Sequence, residues 1–169
     1  GFAGLFKQRW CILTPEDETS TASAKVKTFW ETLGSQVAFM SAKRHDVVLA
    51  TTSHVPHLLA FTLVGTAVDM ERVTNNEVVK YSAGGFRDFT RIAASDPVMW
   101  RDVFLGNKEA VLGVVERYIE DLSSLKRAIR EDDGEALFAQ FSKTRNIRRD
   151  IIDAGQDSAA PNFGRNEEE

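Results

Sequence analysis

Residues 53 to 57, SHVPH, combine two histidines with a serine and a proline. His54 and His57 are three residues apart, so a helix brings both imidazoles to the same side. Such a pair could bind a metal, contribute to a ligand pocket, or bond to the backbone at a proline kink. Zinc needs further ligands, and the remaining histidine, His45, is distant, so we predict no metal site. The pocket and backbone interpretations stay open, with Ser53 as a further pocket candidate.

A second group of chemically capable residues follows the pair Gly84-Gly85. Arg87 and Arg91 are four residues apart, and two guanidinium groups on one helix favour carboxylate or phosphate binding. The alternative is surface pairing with neighbouring aspartates. Trp100 follows a Ser-Asp-Pro helix start at residues 95 to 97, where an indole either covers a ring-shaped ligand or packs in the core.

Composition excludes several classes of protein. The 169 residues carry a net charge of -4, which argues against a nucleic-acid surface. The apolar run from Leu58 to Val68 is about half the ~20 residues of a transmembrane helix, so we expect no membrane partner. The lone Cys11 fits a reducing compartment, and no signal peptide is recognised, so we expect a cytoplasmic protein.

Familiar catalytic and cofactor motifs are missing from the sequence. It contains no G-x-G-x-x-G, no G-x-x-x-x-G-K-[ST], no H-E-x-x-H, no C-x-x-C and no G-x-S-x-G. The chain therefore supplies no nucleotide phosphate loop, and zinc hydrolysis, thiol redox and α/β-hydrolase chemistry lack their residues.

The first forty residues are predicted to alternate strand, helix and strand, as in an α/β sheet. RWCILTP predicts a buried strand, residues 24 to 33 a helix ended by Gly34, and SQVAFM a second strand. Two strands make no stable sheet alone. We therefore interpret residues 1–40 as the end of a larger α/β domain.

From Ser41 onward the pattern is helical. Ser41 is the predicted N-cap of a helix to about Met70, kinked by Pro56 near Thr52 or Ser53, and residues 73 to 80 are predicted as a loop. Further helices are predicted at about 84 to 94, 97 to 105, 107 to 131 and 134 to 152. Residues 41–152 would form one helical domain, and the composition of residues 153–169 predicts a disordered tail.

One predicted helix carries a heptad seam. Its apolar residues recur in steps of four and three, as in a coiled coil; they are Val111, Val115, Tyr118, Leu122, Leu125 and Ile129. The seam packs either on the protein's own core or on a second copy.

Three motifs in order resemble the prephenate and arogenate dehydrogenases. They are S-H-x-P-H, G-G-[FY]-[KR]-D-x-T-R-I-A and D-P-x-M-W, and the resemblance runs from about Phe6 to about Ile129. It implies a mainly α substrate-binding and dimerisation domain, like the C-terminal domain of 6-phosphogluconate dehydrogenase, after a strand-helix-strand remnant of a nucleotide-binding domain.

The family's reaction is the oxidative decarboxylation of prephenate or arogenate with NAD or NADP, in tyrosine biosynthesis. By resemblance, Arg91 binds a substrate carboxylate, His57 helps to hold the substrate, and Trp100 with Gly84 helps to form the pocket. Relatives often have lysine where this chain has Arg87, which keeps the charge and changes the geometry.

The family's catalytic histidine lies in an H-P-x-x-G motif, and no such motif occurs here. We therefore expect a truncated chain that binds no cofactor, contains no catalytic residue and is inactive alone, but forms a homodimer. The rival hypotheses are a stand-alone, non-catalytic binding protein and a purely structural helical dimer whose arginines pair on the surface.

Overall fold

A computed structural model describes residues 4–74 and 80–153. The chain is mainly α-helical, with a two-stranded parallel sheet near its N-terminus. Contacts divide it into two compact units, residues 1–116 and 117–169. The elements are β1 (Trp10–Leu13), α1 (Thr21–Thr32), β2 (Gln36–Phe39), α2 (Ala42–Leu49), a π-helical turn (Ala50–His54), α3 (Val55–Thr74), α4 (Gly84–Thr90), a 3₁₀ turn (Arg91–Ala94), α5 (Pro97–Gly106), α6 (Lys108–Arg130) and α7 (Gly134–Asp153).

The strand-helix-strand order predicted for the first forty residues is present. β1 and β2 pair in parallel, with Trp10 opposite Gln36 and α1 as the crossover. α1 begins at Thr21, three residues earlier than predicted, because the Ser20 hydroxyl accepts the backbone N–H of Ser23. Gly34 ends this helix with φ +89°, a conformation that favours glycine.

β1 is not buried as the sequence suggested. Trp10 is 60% exposed and the rest of the strand is only half-buried. On α1, Phe29 is also exposed. A continuous apolar run predicts a strand covered on both faces, and the described chain does not provide both covers.

A π-helical turn joins α2 and α3 into one long helix. Ser41 caps it as predicted, since its hydroxyl accepts the N–H of Arg44 at 3.3 Å. Pro56 has no N–H to donate to the carbonyl of Thr52, and the helix widens one turn earlier, where the N–H of Val55 bonds to the carbonyl of Ala50, five residues back. The predicted kink is thus a π turn. α3 then continues past Met70 to Thr74; residues 75–79 of the predicted loop lie outside the described residues.

This long helix is more extensively apolar than the run Leu58–Val68 suggested. The stretch Ala42–Met70 is long and apolar enough to cross a membrane, judged by length and composition alone. Core helices of soluble proteins pass the same criterion. That this protein has no membrane partner therefore stays a prediction.

The core of unit 1–116 forms where the π turn meets α6. Ala50, Val55 and Val111 are buried together, and Leu59 and Phe104 pack against them. α5 begins at the predicted Ser-Asp-Pro sequence: the Asp96 carboxylate accepts the N–H groups of Val98 and Met99, and Pro97 is the first helical residue.

The heptad seam of α6 has two kinds of environment. In unit 1–116, Val111 is buried and Val115 packs against the core. In unit 117–169, Leu122 is 51% and Ile129 is 63% exposed. Packing on the protein's own core therefore explains the first part of the seam but not the exposure of Leu122 and Ile129. In the same unit, α7 begins after Asp133, whose carboxylate accepts the N–H of Ala136 at 2.9 Å.

Replacing a core residue tests this packing. Val111 is 5% exposed, so Val111→Ala should lower the free energy of unfolding by about 1 to 3 kcal/mol through lost burial and a residual cavity. Val98→Ala is the matched control, because Val98 is 55% exposed and should change stability by less than about 0.5 kcal/mol. Urea unfolding followed by circular dichroism measures both, and equal effects would contradict the assigned core.

Candidate functional site

One face of α5 points at the π turn. Trp100 and Asn107 are seven residues apart, two turns of the helix, and Phe104 lies between them on the same side. Trp100 contacts the rings of His54 and His57, and Asn107 bonds to His54. Phe104 packs against the buried cluster of Ala50, Val55 and Val111. The histidine pair of the sequence analysis thus lies against α5.

His57 is fixed by two contacts. Its ring stacks on the indole of Trp100, with ring centroids 3.7 Å and planes 23° apart. Its Nδ1 lies 2.9 Å from the carbonyl oxygen of Ser53, which can only accept, so Nδ1 carries the proton. The backbone-bonded interpretation of this histidine therefore holds for Nδ1. In the neutral ring, Nε2 is left as the acceptor for a ligand.

His54 is held by Asn107. The Asn107 Nδ2 donates to the carbonyl oxygen of Asp46 at 2.8 Å, which fixes the orientation of the amide. The same nitrogen is 3.2 Å from His54 Nδ1, which must accept, and the proton of neutral His54 therefore lies on Nε2.

Burial lowers the pKa of His54 below its usual 6.5, and the nearby His45 acts in the same direction. The carboxylate of Asp46 opposes this shift. Desolvation and the Asn107 donor both favour the neutral imidazole. His54 is therefore neutral at physiological pH. It forms one cluster with His57, Trp100 and Asn107.

The indole of Trp100 packs against both imidazoles, those of His54 and His57. Trp100 is 7% exposed, and its indole Nε1 is buried without a hydrogen-bond partner within the described part of the chain. Of the two alternatives for Trp100, a cover for a ligand ring or a core residue, the burial favours the core. One face of the indole is occupied by His57, so Trp100 supports His57.

The glycine-arginine segment lies beside the histidine helix. The predicted helix at 84 to 94 is split, since α-helical geometry ends at Thr90 and tightens into the 3₁₀ turn. Both parts pack against α3, and Arg87 and Arg91 are exposed residues. A Cβ at Gly84 would meet no atom of the described residues within 4 Å, so packing does not require this glycine. The roles of Gly84, Arg87 and Arg91 stay predictions.

The turn between β1 and α1 does not fit the phosphates of the dinucleotide cofactor that the resemblance implies. A phosphate-binding turn of that kind is rich in glycine and opens a helix. Here the turn between β1 and α1 has no glycine and carries three carboxylates, those of Glu16, Asp17 and Glu18. These negative charges repel a pyrophosphate. Among residues 4–74 and 80–153, no three His, Cys, Asp or Glu side chains group as metal ligands.

Sequence reasoning missed Asn107. Its position at the junction of α5 and α6 marks it as a helix boundary. Its partners Asp46 and His54 lie 61 and 53 residues away in sequence, which no local spacing reveals.

The neutral state of His54 can be measured. In a nuclear magnetic resonance titration of the imidazole carbon-bound protons, His54 should have a midpoint below 6.5, in the direction set by burial. Histidine-to-glutamine variants at positions 45, 54 and 57 would assign the signals. A midpoint at or above 6.5 would contradict the desolvated geometry.

The same shift predicts a loss of stability in acid. The folded-state pKa lies below the unfolded value, so below pH 6.5 the unfolded chain binds more protons. Stability should fall as the pH drops through this window. His54→Gln should make urea midpoints less sensitive to pH there.

Comparisons with known proteins agree with this fold. Residues 41–143 match the family model described as prephenate dehydrogenase, dimerization domain. Cyclohexadienyl dehydrogenase of Zymomonas mobilis is 42% identical over 149 residues, which are 88% of this chain and 51% of that protein. Prephenate dehydrogenase of Bacillus subtilis is 36% identical over 94% of this chain and 43% of its own length. The chain thus spans about half the length of these relatives.

A solved structure shares the architecture. Prephenate dehydrogenase from A. aeolicus, in complex with hydroxyphenyl propionate and NAD+, superposes with a TM-score of 0.79 at 42% identity, over 88% of this chain and 52% of that one. The residues that match the family model, 41–143, include His57 and Trp100. This chain belongs to the prephenate dehydrogenase family.

Proposed function

We propose that this chain supplies the substrate-binding and dimerisation part of a cytoplasmic, NAD- or NADP-dependent dehydrogenase that oxidatively decarboxylates prephenate or arogenate in tyrosine biosynthesis. The observation that carries the proposal is the fixed His57 ring, stacked on Trp100 and bonded through Nδ1 to Ser53. A site that must orient one ring substrate needs side chains whose conformations are fixed before binding.

The roles of the site residues follow from their chemistry. His57 presents Nε2 to a polar group of the substrate, and Ser53 fixes the tautomer through its backbone carbonyl. Arg91 binds a carboxylate, with Arg87 as a second positive charge. Trp100 supports His57 from below, and Gly84 leaves open space at the start of α4.

We propose further that the chain is inactive without a cofactor domain. Its turn after β1 repels a pyrophosphate, and its sequence has no H-P-x-x-G motif for the catalytic histidine of the family. The cofactor would accept the hydride, and we assign its binding and the proton transfer from the substrate hydroxyl to residues outside this chain. The NAD+ bound to the A. aeolicus relative supports NAD for the family.

A homodimer accounts for the exposed part of the seam. In unit 117–169, Tyr118, Leu122 and Ile129 are exposed at heptad spacing on α6. Large apolar side chains in a row on one helix mark an interaction surface. The description of the matching family model as a dimerization domain supports a second copy as the partner.

Ligand binding tests the pocket. In a Trp10→Phe, Trp30→Phe chain, Trp100 is the one fluorophore of its type, and millimolar prephenate or hydroxyphenyl propionate should change its emission. Arg91→Gln should weaken binding about tenfold or more, because a charge-assisted bond to a carboxylate is lost.

The matched control is Arg101→Gln on α5, whose arginine pairs with Asp102 on the surface. This control should bind as the parent does. Equal affinities for the two variants, or no emission change with any ligand, would contradict the pocket and favour the structural dimer.

Charge in the seam tests the dimer. Leu122→Glu should shift the chain toward monomer by at least tenfold in dissociation constant, because a carboxylate would be buried unpaired in an apolar interface. Light scattering across micromolar concentrations measures this. Ser123→Glu adds the same charge about 100° further round α6 and should have a smaller effect. A parent chain that is monomeric throughout would overturn the proposal.

A further inference from the structure

The side chain of Asn107 connects parts of the fold that are far apart in sequence. Asn107 lies between α5 and α6, where its N–H bonds to the carbonyl of Val103 and its own carbonyl accepts the N–H of Val111. An asparagine at such a junction commonly uses its side chain to cap the following helix. Here the amide instead reaches α2 and the π turn.

Both hydrogen bonds of the Asn107 amide require the same orientation of the side chain. Because the Asp46 carbonyl can only accept, Nδ2 must face it, and this orientation also directs an N–H at His54 Nδ1. Rotating the amide by 180° would lose both bonds. His54 is therefore held as a neutral ring with its proton on Nε2.

Holding His54 also constrains the ligand side of the cluster. His54 contacts the Trp100 ring edge-on at 6.2 Å, and the same indole stacks under His57 at 3.7 Å. Trp100 and Asn107 are on the same face of α5, two turns apart. Trp100 thus stacks on His57 in α3, and Asn107 is hydrogen-bonded to Asp46 in α2 and to His54 in the π turn.

We propose that Asn107 is a positioning residue of the ligand pocket: its amide fixes the Nε2–H tautomer of His54 and keeps Trp100 in place under His57. The effect on ligand affinity rests on the proposed function, whereas the effect on His54 does not. The titratable groups that act on His54 are His45 and Asp46 on α2 and His57 on α3. From α5 and its end, the contacts to His54 come from Trp100 and Asn107, which do not titrate.

The first test is the tautomer of His54 in the unsubstituted chain. A long-range proton-nitrogen correlation spectrum distinguishes Nε2–H from Nδ1–H imidazole. The proposal expects Nε2–H for His54 and Nδ1–H for His57, opposite tautomers three residues apart. His54 with its proton on Nδ1 would overturn the proposal without any variant.

The second test exchanges the donor for an acceptor. In Asn107→Asp a carboxylate faces His54, so Nδ1 should become protonated and the titration midpoint of His54 should rise. Asn107→Leu removes the donor without adding charge, and both tautomers should then appear. Asn146→Asp, the same change on the exposed surface of α7, should alter neither. An unchanged His54 spectrum in both Asn107 variants, with far-ultraviolet circular dichroism preserved, would overturn the proposal.

The third test connects the tautomer to binding. Both Asn107 variants should bind hydroxyphenyl propionate roughly 3- to 10-fold more weakly than Asn146→Asp, since hydrogen bonds that hold the pocket are lost. Full affinity together with a changed His54 spectrum would overturn the positioning role. If the unsubstituted chain binds no ligand, the proposed function fails, and the His54 spectra still decide whether Asn107 sets the tautomer.

Discussion

The packing of α5 against the π turn is the contact on which the site depends. Trp100, Phe104 and Asn107 lie on one face of α5, where Trp100 and Asn107 contact His54 of the turn and Phe104 packs against the buried cluster that includes Ala50. The turn lies just before Pro56, which has no N–H to donate to the carbonyl of Thr52. A regular helix would direct Ser53, His54 and His57 differently, so the turn helps to place the two imidazoles against the indole.

Both apolar burial and hydrogen bonds stabilise this contact. Phe104 buries apolar surface against the cluster of Ala50, Val55 and Val111. Asn107 donates to the Asp46 carbonyl, and the His57 ring donates to the Ser53 carbonyl. Thr51 and Thr52 donate their hydroxyls to the carbonyls of Val47 and Val48 in the preceding turn. The turn is therefore supported by side chains on both sides, which gives the cluster a defined geometry without a ligand.

Much of the fold was readable from local sequence, because local signals produce it. Ser41, Gly34 and Asp96 end or begin helices where their capping chemistry predicts, and the bounds of α6 and α7 differ by one residue from the predicted ones. The π turn was predicted only as a kink, since its hydrogen-bond pattern depends on how α5 packs beneath it. The bonds of Asn107 were not predictable, because they join residues more than fifty positions apart. The burial of β1 was overestimated, since a single sequence does not say what covers a strand.

In the proposed function, the surface formed by α3, α4 and the 3₁₀ turn, supported by α5, binds a carboxylate-bearing ring. A crystal structure of this chain with hydroxyphenyl propionate would show whether it does. We expect the ligand within hydrogen-bond distance of His57 Nε2, with its carboxylate on Arg91, and with the Asn107 bonds to Asp46 and His54 unchanged. A ligand bound elsewhere, or one that touches neither His57 nor Arg91, would overturn the proposed function.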